Sequence, residues 1–474
     1  MHTTPSPSWP TILPFTALLF SVCVAYCVLH NLREAVTLSY HVGADVIPFI
    51  KVWTLLPGAV ALTSLFAWLS RHLGRDRTFY VLMGLFLCYY LAFAFILSPH
   101  HEATRLTHLG AWLSYHLPEG CRGLASMVEH WNASLYYVMC ELWATGVIAM
   151  LFWGFTNDVM AKGEAEASYG YIKIGGTVSA LAGGQLAGLA TVSDYIEWLP
   201  FGQSAWDQTL DLATIEVVLL GLSAMGLYAY LSKRHTPVDR AKASKPHLSL
   251  GDSLRVVRDS PYLLSMLSLV VGYNLVFSLS DVLWKHYVRE AFHGDPTQII
   301  HYMNQVLSWV GVVSLLAALS SAWIVRHFGW RSLAMSTPVV LLLTGIPFFA
   351  CWIWQDKAFL GLEPLSCLVA IGALQCALGK AAKYSVFDVS KEMAYTPLDS
   401  ETKWKGKAAI DGIGNDLGKT GCSLAQQGFM LAFGSLAAST GCIAVVYFLF
   451  IGVWIAGVRT IADTYEKRPA LNPL

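Results

Sequence analysis

Long apolar stretches alternate with short polar segments along the whole chain. Each stretch is close to the roughly 20 residues that an α-helix needs to cross the hydrocarbon core of a bilayer. The pattern therefore predicts an all-α polytopic membrane protein with about twelve transmembrane helices. The predicted spans lie at residues 11–30, 46–69, 79–97, 134–155, 170–192, 212–231, 262–284, 303–325, 334–354, 359–378, 408–433 and 442–459.

These spans divide into two six-helix halves, at residues 1–231 and 261–474, which a basic and polar cytoplasmic linker at 232–260 joins. An internal repeat supports the division. The segment AWLSRHLG at 67–74 recurs as AWIVRHFG at 322–329, with five of eight residues identical, and each copy ends the second span of its half. Paired halves are typical of transporters that expose a central site alternately to each side. We therefore expect a major-facilitator-like fold.

The basic residues of the short loops predict the orientation. They fall on one side of the predicted membrane, together with those near the C-terminus, so both termini are predicted to be cytoplasmic. Residues 1–10 contain no lysine or arginine, so we expect neither a secretory signal nor a transit peptide, and the first span is predicted to stay as an anchor. The basic residues are Arg71, Arg75, Arg77, Lys233, Arg234, Arg240, Lys242, Lys245, Arg326, Arg331, Arg459, Lys467 and Arg468.

Composition agrees with this class. Hydrophobic residues make up 55% of the chain and charged residues only 13%, which is implausible for a single globular core. The net charge is zero, so electrostatics give no support to a nucleic-acid partner. The ten cysteines show no metal-ligand spacing, and the sequence predicts neither a metal site nor a cofactor.

Candidate chemistry lies in charges that interrupt the apolar pattern, because an ionisable residue within a membrane is costly to bury and usually functional. The acids could couple or gate a transport cycle, and the cations could bind an anionic substrate. The alternative is structural: salt bridges between helices, with lysines extending to the interface. These residues are Arg33 and Glu34 just after the first span, Lys51, Glu141, Lys173, Asp281 and Lys285.

Seven of the sixteen lysines lie between Lys380 and Lys419, a segment without arginine. Lysines that converge on one cavity suit a substrate with several negative charges, such as a phosphorylated compound. Lys380 and Lys383 would share one helical face, and Asp411, one turn beyond Lys407, could hold Lys407. The alternative is a solvated loop, since six acids nearly balance the lysines; Lys391, Lys403 and Lys405 in mid-loop fit it best.

Two further features have a structural and a functional interpretation. Gly418-Lys419-Thr420 looks like the end of a phosphate-binding loop, but that motif needs glycine where this chain has Ile413, so an ATPase is rejected. Gly414 and Gly418, like Gly184 and Gly188, have the spacing of close helix packing. Four aromatic residues could stack on a base, although packing is the simpler role: Trp143, Trp153, Tyr137 and Phe387.

The lysine-rich segment resembles the signature of the ATP/ADP translocase (nucleotide transporter) family of obligate intracellular bacteria and plastids. The matching runs include AKYS at 382–385, KEMAY at 391–395, KGKAAID at 405–411, IPFIKVW at 47–53 and YYVMCELW at 136–143. The resemblance implies import of nucleotides across a bacterial or plastid membrane, usually ATP in exchange for ADP and in some members proton-coupled uptake of nucleotides or NAD. We expect the inner membrane of an obligate intracellular bacterium and a transporter that works as a monomer. It also implies important charges at Lys51, Glu141, Lys407 and Asp281.

The chain departs from the family pattern after the first span, where Val36 and Thr37 stand in place of lysine and aspartate. This departure leaves open the alternative of proton-coupled import of nucleotides or NAD, in which a buried acid such as Glu141 or Asp281 carries the proton. A membrane-embedded enzyme or an anionic-lipid-binding protein is the distant alternative. The sequence shows no recognisable set of catalytic residues, which argues against an enzyme. A site for anionic lipid would have fewer acids beside its lysines than this segment has.

Overall fold

A computed structural model describes residues 9–40, 43–160, 162–235, 250–354, 363–398, 402 and 406–466. The regular secondary structure in these ranges is helical, and no strand occurs in them. The prediction of an all-α chain is confirmed. Most of the linker predicted at 232–260 lies outside the described residues.

Long helices alternate with short ones, and several are continued by π-helical turns, in which the backbone bonds run from residue i to i+5. The π-helical turns span Ile50–Leu55, Phe93–Leu97, Ala144–Trp153, Lys383–Phe387 and Ala408–Gly414. The helices are α1 Trp9–Tyr40, α2 Val46–Phe49, α3 Leu56–Ala92, α4 His101–Thr104, α5 Thr107–His116, α6 Arg122–Glu129, α7 Trp131–Trp143, α8 Gly154–Val159, α9 Lys162–Ala190, α10 Ala205–Arg234, α11 Leu250–Asp259, α12 Pro261–Ala291, α13 Pro296–Ile353, α14 Pro364–Ala382, α15 Asp388–Ala394, α16 Asn415–Phe433 and α17 Thr440–Glu466.

Nine stretches of the described residues are long and apolar enough to cross a membrane. One of them, Val46–Leu97, has 52 residues, which is far more than one crossing requires. The helix inside it breaks at Gly74. The chain is thus polytopic, and the count of twelve spans stays a prediction.

The two copies of the internal repeat have the same local structure. Gly74 has φ 75° and ψ 172°, and Gly329 has φ 76° and ψ 177°, a backbone region that glycine alone occupies readily. In each copy a histidine Nδ1 contacts the carbonyl oxygen of the tryptophan four residues earlier, at 2.8 Å for His72 and 2.9 Å for His327. The repeat read from sequence is therefore a repeated helix break.

The chain forms two compact units. The first falls within Met1–Leu117, Arg122–Ala241 and Phe292–Gly311, and the second within Pro118–Cys121, Lys242–Ala291 and Val312–Leu474. In the first unit α1 packs against α7, α9 and α10, and in the second α12 packs against α14, α16 and α17. The division into two six-helix halves at the predicted boundaries stays a prediction.

Glycines let α16 and the π-helical turn before it approach α12 closely. A Cβ at Gly414 would lie 2.6 Å from Leu267 Cδ1, and one at Gly418 would lie 2.7 Å from Asn274 Cβ. Asn274 Nδ2 also donates to Asn415 Oδ1 at 2.9 Å. The helix-packing interpretation of Gly414 and Gly418 is confirmed. Of the other pair, Gly184 lies against Ser308, whereas Gly188 faces open space.

Candidate functional site

The first unit holds a buried charge cluster on α1 and α7. The sequence predicted that Arg33 and Glu34 follow the first span, but this boundary is wrong, because the apolar helix continues to Tyr40. The two side chains are only 3% and 1% exposed. They therefore lie within a membrane-spanning helix, where each charge needs a partner.

Arg33 connects the charged groups of this cluster. Its guanidinium forms ion pairs with Glu34, at 3.1 Å from Nη2 to Oε1, and with Glu141 on α7. The same Nη2 donates to His30 Nδ1 at 2.9 Å. The guanidinium carbon lies 4.5 Å from the centre of the Tyr137 ring, a geometry that stabilises the cation. One arginine is thus shared between two carboxylates.

Lys51 and Lys173 in the same unit have no ion pair with any described residue. Lys51 lies in the π-helical turn Ile50–Leu55, which packs against α7, the helix of Glu141. Such turns are frequent at functional sites. Lys173 is exposed on α9. Both side chains are therefore available to an anion, and their substrate role stays a prediction.

Val36 and Thr37 stand where the resemblance leads us to expect a lysine and an aspartate, and they lie on α1. Both side chains are fully buried, and the Thr37 hydroxyl has no hydrogen-bond partner among the described residues. This position is thus closed to water in the structure. The expected lysine would therefore have been buried inside the first unit.

The second unit contains a buried ion pair between an aspartate and a lysine of the same helix. Asp281 and Lys285, one turn apart on α12, are 2.7 Å apart, and their side chains are 9% and 4% exposed. Cys376 Sγ lies 3.9 Å from Asp281 Oδ1, and the Lys380 ammonium lies near all three groups. Two lysines therefore surround one aspartate.

The lysines at the end of α14 converge as the sequence suggested. The Lys383 ammonium lies close enough to those of Lys380, Lys391 and Lys419 for their charges to repel, with Asp388 as the neighbouring acid. Neither Lys380 nor Lys383 has an ion pair with a described carboxylate within 4.0 Å. Lys383 instead lies over the rings of Tyr273 and Tyr384, at 5.3 and 5.5 Å from their centres. The second unit thus brings four lysines close together around Lys383.

Asp411 does not hold Lys407, so that expectation is wrong. Asp411 Oδ1 pairs with Lys391 at 2.9 Å and accepts from the Tyr395 hydroxyl at 3.4 Å, whereas Lys407 pairs with Glu392 at 2.7 Å. Each side chain thus pairs with a residue of Asp388–Ala394 and not with the other. Lys403 and Lys405 lie outside the described residues.

The four candidate stacking residues differ in exposure. Trp143 and Tyr137 are fully buried, and the indole nitrogen of Trp143 donates to Val22 O at 3.0 Å. Phe387 is stacked on Tyr273 with ring centres 5.2 Å apart. Trp153 is half-buried, with its ring edge toward Tyr169. Packing accounts for the three buried rings in this structure, and Trp153 is the most accessible of the four.

Sequence reasoning missed three groups. His30 completes the Arg33 cluster, and its i, i+3 spacing was the available signal. Lys391 was assigned to a solvated loop, yet it is 16% exposed and bound to Asp411. Asp211 on α10 is 4% exposed, and it has no hydrogen bond or ion pair with a described residue. An acid directly before the predicted span at 212–231 was the signal for it.

Comparisons with known proteins identify the family. The model of the TLC ATP/ADP transporter family matches residues 8–465. The chain belongs to this family. ADP,ATP carrier protein 2 of Chlamydia pneumoniae is 34% identical, over 97% of this chain and 89% of its own. The chloroplastic ADP,ATP carrier protein 1 of Arabidopsis thaliana is 33% identical, over 96% of this chain and 74% of its own. This TLC family member is thus a multi-pass membrane transporter, not an enzyme.

Solved structures support the fold of this TLC family member. A nucleoside transporter matches with a TM-score of 0.58 and 12% identity, over 96% of this chain and 98% of its own. A D-xylose-proton symporter matches with a TM-score of 0.54 and 12% identity, over 96% and 97%. At this identity the likeness concerns the fold alone, and it confirms the major-facilitator-like prediction.

Proposed function

We propose that this transporter imports ATP in exchange for ADP across a bacterial inner membrane, with both termini in the cytoplasm. The observation that carries the proposal is the lysine cluster around Lys383. Three other lysines lie close enough to the Lys383 ammonium for their charges to repel it, and such repulsion is costly within a membrane protein. A polyphosphate that binds them removes this repulsion, so the cluster is suited to a nucleotide di- or triphosphate.

The same cluster favours exchange over one-way release. When the site is empty, the lysines repel, and the conformational change must proceed against that repulsion. A bound nucleotide supplies the compensating charge on each half of the cycle. Turnover then requires a nucleotide in both directions.

The experiment is uptake of labelled ATP into liposomes that contain the purified protein and are loaded with ADP or left empty. We expect uptake to depend on internal ADP and to fall about tenfold or more in Lys383→Gln, since a charged hydrogen bond contributes roughly 1.5–3 kcal/mol. Lys233→Gln is the matched control, because Lys233 is exposed at the end of α10. Uptake that is equal in empty and loaded liposomes contradicts exchange.

A second candidate is proton-coupled nucleotide import, which one observation favours. Asp211 is buried in an apolar helix without a described cation near enough to pair with it. A carboxylate in that environment gains by binding a proton. In the same liposomes, a protonophore that abolishes uptake into empty vesicles, together with loss of this effect in Asp211→Asn, would establish this candidate in place of exchange.

A further inference from the structure

The first unit contains a cavity of about 300 Å³ whose lining does not include Arg33 or its partners. It lies beside the helix break at Gly74, and its polar lining is Ser70, Arg75, Thr78, Asp158 and Tyr228. Asp158 is the second-last residue of the candidate span Trp131–Val159. The cavity is therefore at the end of the spans, the level at which lipid headgroups meet the protein.

The Arg75 side chain has two fixed contacts, and one of its guanidinium nitrogens has no hydrogen-bond partner among the described residues. Its Nε donates to Asp76 Oδ1 at 3.1 Å, and its guanidinium carbon lies 5.2 Å from the centre of the Phe155 ring. Asp76 is fixed in turn by the Tyr228 hydroxyl at 2.7 Å. Arg75 Nη1 is buried and has no hydrogen-bond partner among the described residues. An unsatisfied buried donor costs roughly 1–3 kcal/mol, which an incoming acceptor can recover.

A negative charge lines the same cavity. Asp158 is exposed, and it has no hydrogen bond or ion pair with a described residue. Arg75 and Asp158 are more than 4.0 Å apart, since no ion pair joins them. The cavity thus presents one cation and one anion to the same space, and a ligand with both charges satisfies them together.

The apolar lining extends away from this polar end. Phe66 is four residues before Ser70 on α3, which places it about 6 Å deeper at 1.5 Å per residue. Met150 likewise precedes Gly154 by four residues, in the π-helical turn Ala144–Trp153. An amphiphile with a charged head and an apolar tail fits this distribution. A nucleotide does not, because it carries several negative charges and no cationic group to face Asp158.

We propose that this cavity binds the headgroup of a zwitterionic phospholipid of the phosphoethanolamine type. The phosphate accepts hydrogen bonds from Arg75, for which the guanidinium fork is well suited. The primary ammonium donates to Asp158, and the acyl chains lie along Phe66 and Met150. The site is separate from the lysine cluster to which the proposed transport function is assigned.

Native mass spectrometry of the purified full-length protein tests the proposal. The protein is stripped of lipid and incubated with equal amounts of phosphatidylethanolamine, phosphatidylcholine and phosphatidylglycerol. We expect phosphatidylethanolamine to be retained in preference. Arg75→Gln should lower its retention about tenfold, as loss of one charged hydrogen bond implies. Arg77→Gln is the matched control, because Arg77 is exposed two residues away and does not line the cavity.

Asp158→Asn separates the headgroups and keeps the test decisive if Arg75→Gln fails to fold. It removes the carboxylate but leaves the Arg75–Asp76 pair intact, so the preference for phosphatidylethanolamine over phosphatidylglycerol should fall toward one. Equal retention in Arg75→Gln and Arg77→Gln overturns the proposal, as does an unchanged headgroup preference in Asp158→Asn. Displacement of bound lipid by ATP would assign the cavity to cargo phosphate instead.

Discussion

The buried pair Asp281–Lys285 allows a quantitative prediction about stability. Both side chains are less than one tenth exposed, and they are 2.7 Å apart. Removing one partner of such a pair leaves an uncompensated buried charge and costs roughly 3–5 kcal/mol. Replacing both partners by uncharged residues of similar size removes that penalty. We therefore expect Asp281→Asn to be strongly destabilising and the double variant Asp281→Asn/Lys285→Met to recover most of the loss.

The third lysine makes the two single variants unequal. Lys380 also lies near Asp281, so in Lys285→Met the carboxylate keeps a cation nearby. In Asp281→Asn, by contrast, Lys285 and Lys380 both lose the carboxylate that lies near their ammonium groups. Lys285→Met should therefore cost less unfolding free energy than Asp281→Asn.

The assay is equilibrium unfolding in mixed micelles titrated with sodium dodecyl sulfate and followed by circular dichroism. Asp259→Asn is the matched control, because its partner Arg258 is 79% exposed and Asp259 is 58% exposed. An exposed pair contributes less than about 1 kcal/mol. The reasoning is refuted if Asp281→Asn is no more harmful than this control, or if Lys285→Met is the more harmful single variant.

Two further predictions concern the backbone and a loop residue. Alanine at Gly74 or Gly329 should lower the unfolding free energy by at least about 1–3 kcal/mol, because both glycines occupy a region that other residues avoid. Gly84→Ala, in a helix with open space around it, should be neutral or stabilising, and equal effects at these positions contradict the argument. Burial, followed by the charge of Arg105, lowers the pKa of His130 below its ordinary value of 6.5. The folded state then binds this proton less readily than the unfolded state, so the stability that neutral His130 contributes is lost as the pH falls below about 6.5. Unfolding free energies measured from pH 7.5 to 5 should therefore fall less in His130→Gln than in the unchanged protein. An equal fall in both proteins would exclude this role.

The sequence predicted the fold class and the repeated segment because both depend on local patterns. Apolar stretches of membrane-spanning length and the motif ending at Gly74 and Gly329 need no knowledge of tertiary contacts. The end of the first span was misplaced for a related reason. Arg33 and Glu34 look like the start of a polar loop, and only their partners Glu141 and His30 allow the helix to continue with them buried.

The sequence predicted which kinds of residue form the site, but it did not predict which acid pairs with which lysine. The convergence of lysines followed from their density, and Lys380 and Lys383 do lie close to other lysines. Which acid binds which lysine depends on helix geometry that composition does not reveal, as Asp411 and Lys391 show. The cavity at Arg75 was beyond sequence reasoning, because Asp158 and Arg75 are separated by 83 positions and basic residues near span ends ordinarily record only topology.

The π-helical turn Ala408–Gly414 has a consequence for how this chain can vary. A π-turn is in effect an α-helix that holds one residue too many, so deleting a single residue there would keep the helix continuous. The side chains beyond the deletion would keep their direction around the helix axis, because the π-turn and the α-helix differ by that one residue. Gly418 would therefore keep its contact with Asn274. Of all positions along this helix, the turn is the one where loss of a single residue disturbs the packing beyond it least.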